Sequence, residues 1–483
     1  THSHVDHFGG VGALFPSDDD ARVRFVAPAR FLEEATSENV LAGTAMARRA
    51  TFQFGTNLPR GPRGHVDTGL GKGIARGTIG IRQPTDLVDH TPQPLEIDGL
   101  RFVFQYTPES EAPAELTFYL PEHKAFCGAE IVNHTLHNLY TLRGAKVRDA
   151  LRWSGYIDDA IERFGDAEVV FMSHTWPVWE NRRVLAFLKG QRDTYRYIHD
   201  QTLRLANAGY GPREIAEQLE LPASLSGSFA NRGYYGTVRH NTKAVYQWYF
   251  GWYDGNPASL DPLPPEALGA KYVEAMGGAA EVRRKASEAL ERGEYRWVAT
   301  LLDHLVFAAP NDDEARELLA RAYEQLGYAA ESGVWRDVYL SGAYELRRGV
   351  QGAPVDPSTA LGLLRHVPLE HLFAAMATRL NAPKAVGKET TLNFVFSDLG
   401  ETHVLRLENA VLHHRRREAD PQAAVTIRLT REFFLRMVTG DAGLRAMIFS
   451  KDFDVEGSRT ELLSFFSLLD RPDGLFPLVT PRG

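Results

Sequence analysis

Four side chains that can bind metal ions lie within the first seven residues of the chain. His2, His4, Asp6 and His7 form the pattern His-x-His-x-Asp-His, and Phe-Gly-Gly follows it. In a turn after a strand, the first two histidines point one way while the aspartate and the third histidine point to the other side. The four ligands can then divide between two adjacent ions, and imidazole with carboxylate suits zinc or iron. The alternative is a chance cluster or a purification tag, but a tag would not contain the internal aspartate or the Gly-Gly pair. The motif therefore predicts a dinuclear metal site and a fold that brings further ligands to it.

Strand ends are the expected source of those further ligands, because a sheet holds them rigidly. The strand predicted at 124–127 is followed by Glu130, and the strand predicted at 167–172 is followed by His174. Three glutamates precede the predicted strand 116–120, and residue type alone does not choose among them. They are Glu109, Glu111 and Glu115.

Two histidines after Glu130 compete for a role at the metals. A helical turn would place Glu130 and His134 on one face, and His137 is also near in sequence. Support of a ligand from outside the coordination sphere is the alternative to direct metal binding.

Length and composition exclude some classes of protein. A chain of 483 residues predicts two or three domains. With 62 acidic and 54 basic residues the net charge is −8, which does not suggest a nucleic-acid partner. No apolar run approaches the ~20 residues of a membrane-spanning helix. The single cysteine, Cys127, lies in an apolar run, where a buried inert thiol is expected rather than a nucleophile.

The pattern of apolar residues divides the chain into three regions. Up to about residue 205, short strands alternate with helical stretches, which predicts an α/β layered domain. Its expected strands are 22–27, 100–106, 116–120, 124–127 and 167–172. The glycine-rich stretch 55–80 predicts a loop or flap, and the GLGKG within it lacks the spacing of a phosphate-binding loop.

The middle region, about 195–350, is predicted to be helical, with helices at 195–208 and 212–219. A weak repeat places Ala286 and Gly293 about 34 positions before Ala320 and Gly327, the spacing of tetratricopeptide-type helix pairs. Two such units are too few for a free solenoid, so we expect this region to pack on something, such as another subunit.

The last region predicts a compact α+β module. Its expected strands are 392–396, 402–408, 411–415, 424–429 and 453–455, and its expected helices are 431–438 and 460–469.

The opening motif with its Gly-Gly pair resembles the metallo-β-lactamase superfamily. Within that superfamily, four segments resemble the alkylsulfatases that hydrolyse sodium dodecyl sulfate and related sulfate esters. They are EAPAELTFYLPEHKAFCGAE, HNLYTLRGAKVRDALRW, SHTWPVW and GYYGTVRHNTKAVYQWYFGWYDGNPASLDPLPPE. The resemblance runs over nearly the whole chain, and the last region resembles a sterol-carrier-protein-2 domain. It implies an αββα sandwich catalytic domain in 1–205, a helical dimerisation domain in 206–355, a sterol-carrier-like α+β domain in 356–483, and a homodimer.

The resemblance also implies how two zinc ions divide the ligands. One ion takes His2, His4 and Glu111, the other takes Asp6, His7 and His174, and Glu130 bridges or approaches both. Glu111 is favoured because it opens the Glu-Ala-Pro-Ala-Glu segment, whereas His134 and His137 become less favoured as ligands.

The substrate's sulfate group needs cationic and hydrogen-bonding partners. Arg143, in Thr-Leu-Arg-Gly, resembles the family's sulfate-binding arginine, and Asn138 is near it in sequence. His240, in Arg-His-Asn-Thr-Lys, resembles a further sulfate contact that could also steady the departing oxygen. Arg148 stands where some relatives place a different residue, and the sequence assigns it no role.

The chain departs from the superfamily pattern because strands that normally precede the histidine motif are absent. Their loss would leave a sheet face uncovered, at ~25 cal/mol per Å2 of apolar area. We therefore expect the native protein to be longer, and localisation stays open.

The function expected from the sequence is zinc-dependent hydrolysis of an alkyl sulfate ester to an alcohol and inorganic sulfate. Other hydrolases of the same superfamily, namely a phosphodiesterase, a lactonase or a thioesterase, are the first alternative. A lipid-binding scaffold is the second, because the last region is rich in phenylalanine. Those residues are Phe394, Phe396, Phe433, Phe434, Phe465 and Phe466.

Overall fold

The computed structural model describes residues 1–15, 23–73, 77–353, 359, 361–441 and 450–482 of the chain. Its first part contains two sheets. Strands β1 (Val26–Pro28) and β2 (Asp86–Val88) pair in parallel. The larger sheet has six strands in the order β3-β4-β5-β6-β7-β8. These are β3 (Gln93–Ile97), β4 (Leu100–Tyr106), β5 (Leu116–Leu120), β6 (Ala125–Cys127), β7 (Val169–Phe171) and β8 (Val178–Trp179).

Neighbouring strands of the larger sheet are antiparallel except for β6 and β7. The parallel pair brings the carboxyl ends of β6 and β7 to one edge, where Glu130 and His174 follow. The strands expected at 100–106 and 116–120 are present at those bounds. The strand expected at 22–27 is shorter, because the Phe25 N–H bonds to the Thr85 hydroxyl before the β1 ladder begins, and Arg22 lies outside the described residues.

The described residues of the first part form six α-helices, of which the last two share a core with this sheet. They are α1 (Val5–Phe8), α2 (Val11–Leu14), α3 (Phe31–Leu41), α4 (Gly43–Gln53), α5 (Ala150–Arg163) and α6 (Asn181–Ala206). Helix α5 begins at a cap in which the Asp149 carboxylate accepts the N–H groups of Leu151 and Arg152. Its buried Trp153 and Ile157 are four residues apart and face Phe126 of β6 in one core. Complete burial of each such side chain contributes roughly 1.5–3 kcal/mol.

The prediction for the helix at 195–208 was wrong about its start. Helix α6 begins at Asn181, because Val184, Leu188 and Gln191 already face the core at helical spacing. The stretch 55–80 contains no helix or strand in its described residues, which agrees with the expected loop.

The middle part is helical, as expected. Its helices are α7 (Pro212–Gln218), α8 (Ala223–Ser226), α9 (Val238–Phe250), α10 (Pro265–Ala275), α11 (Ala279–Glu291), α12 (Tyr295–Ala308), α13 (Asp313–Ala329) and α14 (Gly333–Arg348). Ala286 and Ala320 are equivalent in being completely buried. The proposed repeat fails at its glycines, because Gly293 follows α11 with φ 75° whereas Gly327 lies inside α13.

The C-terminal part is a five-stranded sheet in the order β11-β10-β9-β12-β13 with helices on it. Its strands are β9 (Thr390–Phe396), β10 (Glu401–Glu408), β11 (Val411–Arg416), β12 (Val425–Leu429) and β13 (Phe453–Gly457). Its helices are α15 (Leu361–Leu364), α16 (Leu369–Ala377), α17 (Ala382–Ala385), α18 (Arg431–Thr439) and α19 (Arg459–Ser467). The expected α+β module is therefore present.

The phenylalanines of the C-terminal part pack into its own core. Five of them are buried, and Phe466 packs against them while partly exposed. These side chains therefore form the core of the C-terminal part and do not line an open lipid pocket in the described structure. Among helices in the described part of the chain, none has the length and apolar character needed to cross a bilayer.

Candidate metal centre

The opening motif is held against the loop that leads into β5. The Ser3 N–H donates to the Ala114 carbonyl, and the Leu116 N–H donates to the Thr1 carbonyl. His2 pairs with Glu115 in an isolated bridge. This short pairing brings His2 and His4 beside Glu111.

The other ligand candidates arrive from strand ends. Glu130 lies three residues after β6 and His174 lies three residues after β7. Ala129 has φ 46° and His174 has φ 68°, left-handed conformations that are uncommon for residues with a β carbon. Such local strain is found at functional sites, where the surrounding structure maintains it.

Seven side chains converge in two groups whose ligand atoms lie within 4.8 Å of one another in each group. One group is His2, His4, Glu111 and Glu130, and the other is Asp6, His7 and His174. The structure thus brings together the seven residues that the resemblance implied as metal ligands.

Glu130 belongs to the first group and also approaches the second. Its Oε2 is 3.2 Å from His2 Nε2 and 2.9 Å from His7 Nε2, and its Oε1 is 3.3 Å from His174 Nε2. Burial disfavours ionisation of this carboxyl, but hydrogen bonds from His137 and the surrounding histidines lower its pKa well below its usual range.

The electrostatics of the site suit a cation. His2 Nε2 and Glu111 Oε2 are buried 3.4 Å apart, and neither forms a hydrogen bond of good geometry within the described structure, although other ligand candidates lie close to both. Burial, followed by the charge of His7, lowers the pKa of His2 to about 4, so His2 offers a neutral lone pair. The Nε2 atoms of His7 and His174 face each other at 3.0 Å. A metal ion would use these lone pairs, and nitrogen with carboxylate oxygen is a donor set that zinc accepts.

The remaining glutamates have other partners. Glu115 Oε2 accepts the N–H groups of Glu111 and Ala112 and the Ser110 hydroxyl, so it shapes the Glu111 loop. Burial and the charge of Glu111 raise the pKa of Glu115 to about 8. Glu109 pairs with Arg152 at the surface.

The segment between Cys127 and Ala150 contains no helix, so Glu130 and His134 do not share a helical face. His134 Nδ1 is instead 3.3 Å from the Thr175 hydroxyl. His137 Nε2 is 3.2 Å from Glu130 Oε1, so it supports a ligand candidate from outside both groups.

Arg148 is a residue whose importance the sequence did not reveal. It is buried, and its Nη2 donates to Glu111 Oε1 at 2.5 Å. Its Nη1 donates to the side-chain and main-chain oxygens of Asn138, both at 2.6 Å, and lies 2.9 Å from His137 Nδ1. Arg148 therefore joins a metal-ligand candidate to a sulfate-contact candidate.

The three residues predicted to contact sulfate have different surroundings. Asn138 Nδ2 is buried and has no hydrogen-bond partner in the described structure, so a donor is available. Arg143 Nη1 donates to the Gly144 carbonyl at 3.0 Å. His240 Nδ1 accepts from Trp335 Nε1 at 3.1 Å while its Nε2 donates to the Tyr140 carbonyl at 2.6 Å. Burial lowers the pKa of His240 to about 4.

Cys127 is buried and has no disulfide partner. Burial raises the pKa of its thiol to about 11. The predicted burial of this thiol is confirmed, and the raised pKa disfavours the thiolate, which is the reactive form.

Comparison with known proteins places this architecture and site in one class of enzyme. Two family models match, described as alkyl sulfatase dimerisation at residues 211–349 and alkyl sulfatase C-terminal at residues 357–481. A linear primary-alkylsulfatase from Pseudomonas sp. is 46% identical over 100% of this chain and 72% of its own length. The alkyl/aryl-sulfatase of Saccharomyces cerevisiae is 44% identical over 100% of this chain and 75% of its own length.

A solved structure agrees with these sequences. The stereoselective inverting sec-alkylsulfatase of Pseudomonas sp. is 40% identical, with a TM-score of 0.95 over 100% of this chain and 76% of that chain. The chain belongs to the alkylsulfatase family. The resemblance and the fold class expected from the sequence are thereby confirmed, and so is the enzyme class, a hydrolase of sulfate esters.

Proposed function

We propose that this protein is a zinc-dependent alkylsulfatase that hydrolyses alkyl sulfate esters such as dodecyl sulfate to an alcohol and inorganic sulfate. The observation that carries the proposal is the convergence of seven metal-binding side chains in a chain related over its full length to alkylsulfatases. The relatives supply the substrate class, and the site supplies the chemistry.

Two zinc ions per chain would be held by the two groups of side chains. His2, His4 and Glu111 would hold one ion, Asp6, His7 and His174 would hold the other, and Glu130 could contribute to both. Zinc bound there would lower the pKa of a coordinated water, which is the chemistry that hydrolysis near neutral pH needs. The chain's own contribution is to present the neutral imidazole of His2 and the ionised carboxylate of Glu130 at fixed positions, which their lowered pKa values favour.

The sulfate group is assigned to the side of the site that carries Asn138. The unpartnered Nδ2 of Asn138 donates to a sulfate oxygen, while its Oδ1 stays bonded to Arg148. Arg148 contributes positive charge beside Asn138, to which it is bonded. Arg143 is assigned as a second cationic partner of the sulfate. A guanidinium suits this role because its donors match the geometry of an oxyanion.

His240 stays a predicted contact of the sulfate or of the departing oxygen. Both of its ring nitrogens are engaged in the structure, by Trp335 and by the Tyr140 carbonyl. A direct contact therefore requires the ring to exchange one of these bonds for the substrate.

Homodimer formation is the second element of the proposal. Residues 211–349 match a dimerisation model, and this stretch exposes large apolar side chains. They include Trp248, Trp252, Leu260, Leu263 and Trp297. Burying them on a second copy would remove apolar area from water, and light scattering on the purified protein would give twice the chain mass.

A parallel assay tests the function directly. The purified protein is incubated with dodecyl sulfate, a phosphodiester and a lactone, and release of sulfate, phosphate monoester and acid is measured. Release of sulfate with no turnover of the other two supports the proposal. No sulfate release from alkyl sulfates of any tested chain length contradicts it, and hydrolysis of the phosphodiester or the lactone instead would assign another hydrolase activity.

A further inference from the structure

The loop Gly64–Gly73 contacts the candidate metal centre through a main-chain oxygen. The Leu70 carbonyl lies 3.1 Å from His174 Nδ1. A carbonyl can only accept, so Nδ1 carries a hydrogen, and Nε2, which faces Asp6, His7 and Glu130, is the nitrogen left for a metal. The Leu70 carbonyl thus selects the tautomer of His174 that can bind a metal through Nε2.

The position of Leu70 is fixed within the loop. The Leu70 N–H donates to the Thr68 hydroxyl at 3.2 Å, and that hydroxyl donates to the Gly71 carbonyl at 3.1 Å. Gly69 has φ 92°, and a β carbon there would lie 2.2 Å from the Tyr234 carbonyl oxygen. The loop is therefore packed directly on the main chain near Tyr234.

Helix α14 of the middle part closes the other side of the loop. A β carbon at Gly333, the first residue of α14, would lie 2.4 Å from the Asp67 carbonyl oxygen. One turn further along α14, the buried Asp337 carboxylate lies 2.9 Å from Nδ1 of the buried His65. His65 Nε2 donates to the Lys72 carbonyl at 3.1 Å, so one imidazole holds both ends of the loop.

The hydrogen bonds of His65 fix where the protons of the His65–Asp337 pair lie. The Lys72 carbonyl is only an acceptor, so His65 Nε2 carries a hydrogen. A hydrogen bond between His65 Nδ1 and the Asp337 carboxylate then needs one further proton, carried either by the imidazole or by the carboxyl group. Asparagine at 337 would keep a bond, because its amide can donate to Nδ1, whereas alanine would leave Nδ1 unpaired.

We infer that the His65–Asp337 pair is a positioning device through which helix α14 fixes His174, so that the middle part of the chain controls the metal site of Asp6, His7 and His174. The inference rests on the proposed metal centre. It assigns no contact with substrate to either residue. The contacts that lead from Asp337 through His65 and the loop end at His174. We therefore expect the site of His2, His4 and Glu111 to be independent of the His65–Asp337 pair.

The experiment is a zinc titration of the metal-free protein by calorimetry, with cobalt(II) absorption as a report on ligand geometry. The variants are Asp337→Ala, His65→Ala and Asp337→Asn. The matched control is Glu345→Ala, which breaks a second buried ion pair on α14, with Arg48, that has no link to His174. The two pairs are comparable in burial, so general softening of α14 affects both variants.

We expect Asp337→Ala and His65→Ala to bind one zinc with wild-type affinity and the second ~10 to 100-fold more weakly, as for loss of outer support of a metal ligand. Asp337→Asn should keep the affinity of the second site close to that of the wild type, and Glu345→Ala should bind both ions with wild-type affinity. Three results would overturn the inference: two unchanged sites in both alanine variants, equal weakening of both sites, or the same loss in Glu345→Ala. A wild-type protein that binds no metal would overturn the proposed function as well, whereas two tight sites in all variants would overturn the positioning role alone.

Discussion

Arg148 Nη2 donates to Glu111 Oε1 at 2.5 Å, and both side chains are buried. The other oxygen of Glu111 lies 2.9 Å from His4 Nδ1 and 3.4 Å from His2 Nε2. One carboxylate therefore has an oxygen held by a guanidinium and an oxygen directed at the histidines. The same guanidinium reaches Asn138, so a single arginine orients parts of the metal and sulfate sites together.

Replacing Arg148 is predicted to impair both sites. Arg148→Ala should lower kcat/KM for dodecyl sulfate by ~10 to 100-fold and weaken zinc binding, because Glu111 loses its outer partner. Arg148→Lys should recover only part, since one ammonium cannot reproduce the planar fork. The control is Arg152→Ala, which breaks an exposed pair with Glu109 and should leave kcat/KM unchanged. Equal activity of the Arg148→Ala and Arg152→Ala enzymes would contradict this role.

Asn138 is predicted to bind the anionic head of the substrate through Nδ2. Asn138→Ala should raise KM for dodecyl sulfate by ~10-fold, the effect of losing about one charge-assisted hydrogen bond. Asn138→Asp should raise it further, because a carboxylate keeps the bond to Arg148 but repels sulfate. Steady-state kinetics should give KM values that rise from the wild type to Asn138→Ala to Asn138→Asp. An Asn138→Asp enzyme with the wild-type KM would rule out this contact.

His240 offers a test of the predicted sulfate contact. His240→Ala should lower turnover of dodecyl sulfate, by ~10-fold or more if the ring stabilises charge on the departing oxygen. His240→Gln retains a donor and an acceptor and is the conservative comparison. Unchanged turnover in His240→Ala would remove His240 from the reaction and leave it as the link between Trp335 and Tyr140.

His240 also predicts a pH dependence of stability. Its pKa in the folded protein is about 4, below the ordinary value of 6.5. The unfolded chain therefore binds more protons between these pH values, and stability is complete above about pH 6.5 and is lost as the pH falls towards 4. At about 1.4 kcal/mol per pKa unit, the wild type should lose about 3 kcal/mol more than His240→Gln across this range. Denaturant unfolding of both proteins at pH 7 and pH 4 measures this change in the free energy of unfolding. An equal change in the wild type and in His240→Gln would show that His240 is not held neutral.

The sequence predicted the parts of the site that depend on local pattern. Glu130 and His174 were found because each follows a buried apolar strand, and a parallel pair of strands ends at one edge. Helix α6 was predicted too short because its first turns carry many charged residues between the buried ones.

Contacts between distant parts of the chain could not be predicted. Arg148 bonds to a residue 37 positions away, and His65 bonds to one 272 positions away. Such pairs leave no periodicity, because each partner is buried by elements that only the folded chain brings together. The sequence assigned Arg148 no role, and residue type does not point to burial, since arginine is rarely buried without a partner. A glycine-rich stretch with a histidine in it was the only local sign of the loop that supports His174.

The most direct test of the two-metal site is to titrate metal-free protein with zinc while measuring sulfate release from dodecyl sulfate. We expect no release of sulfate without metal and a rise that reaches its plateau at two zinc ions per chain. Full release by protein shown to contain no metal, or a protein that binds zinc at neither group of side chains, would contradict the two-metal site.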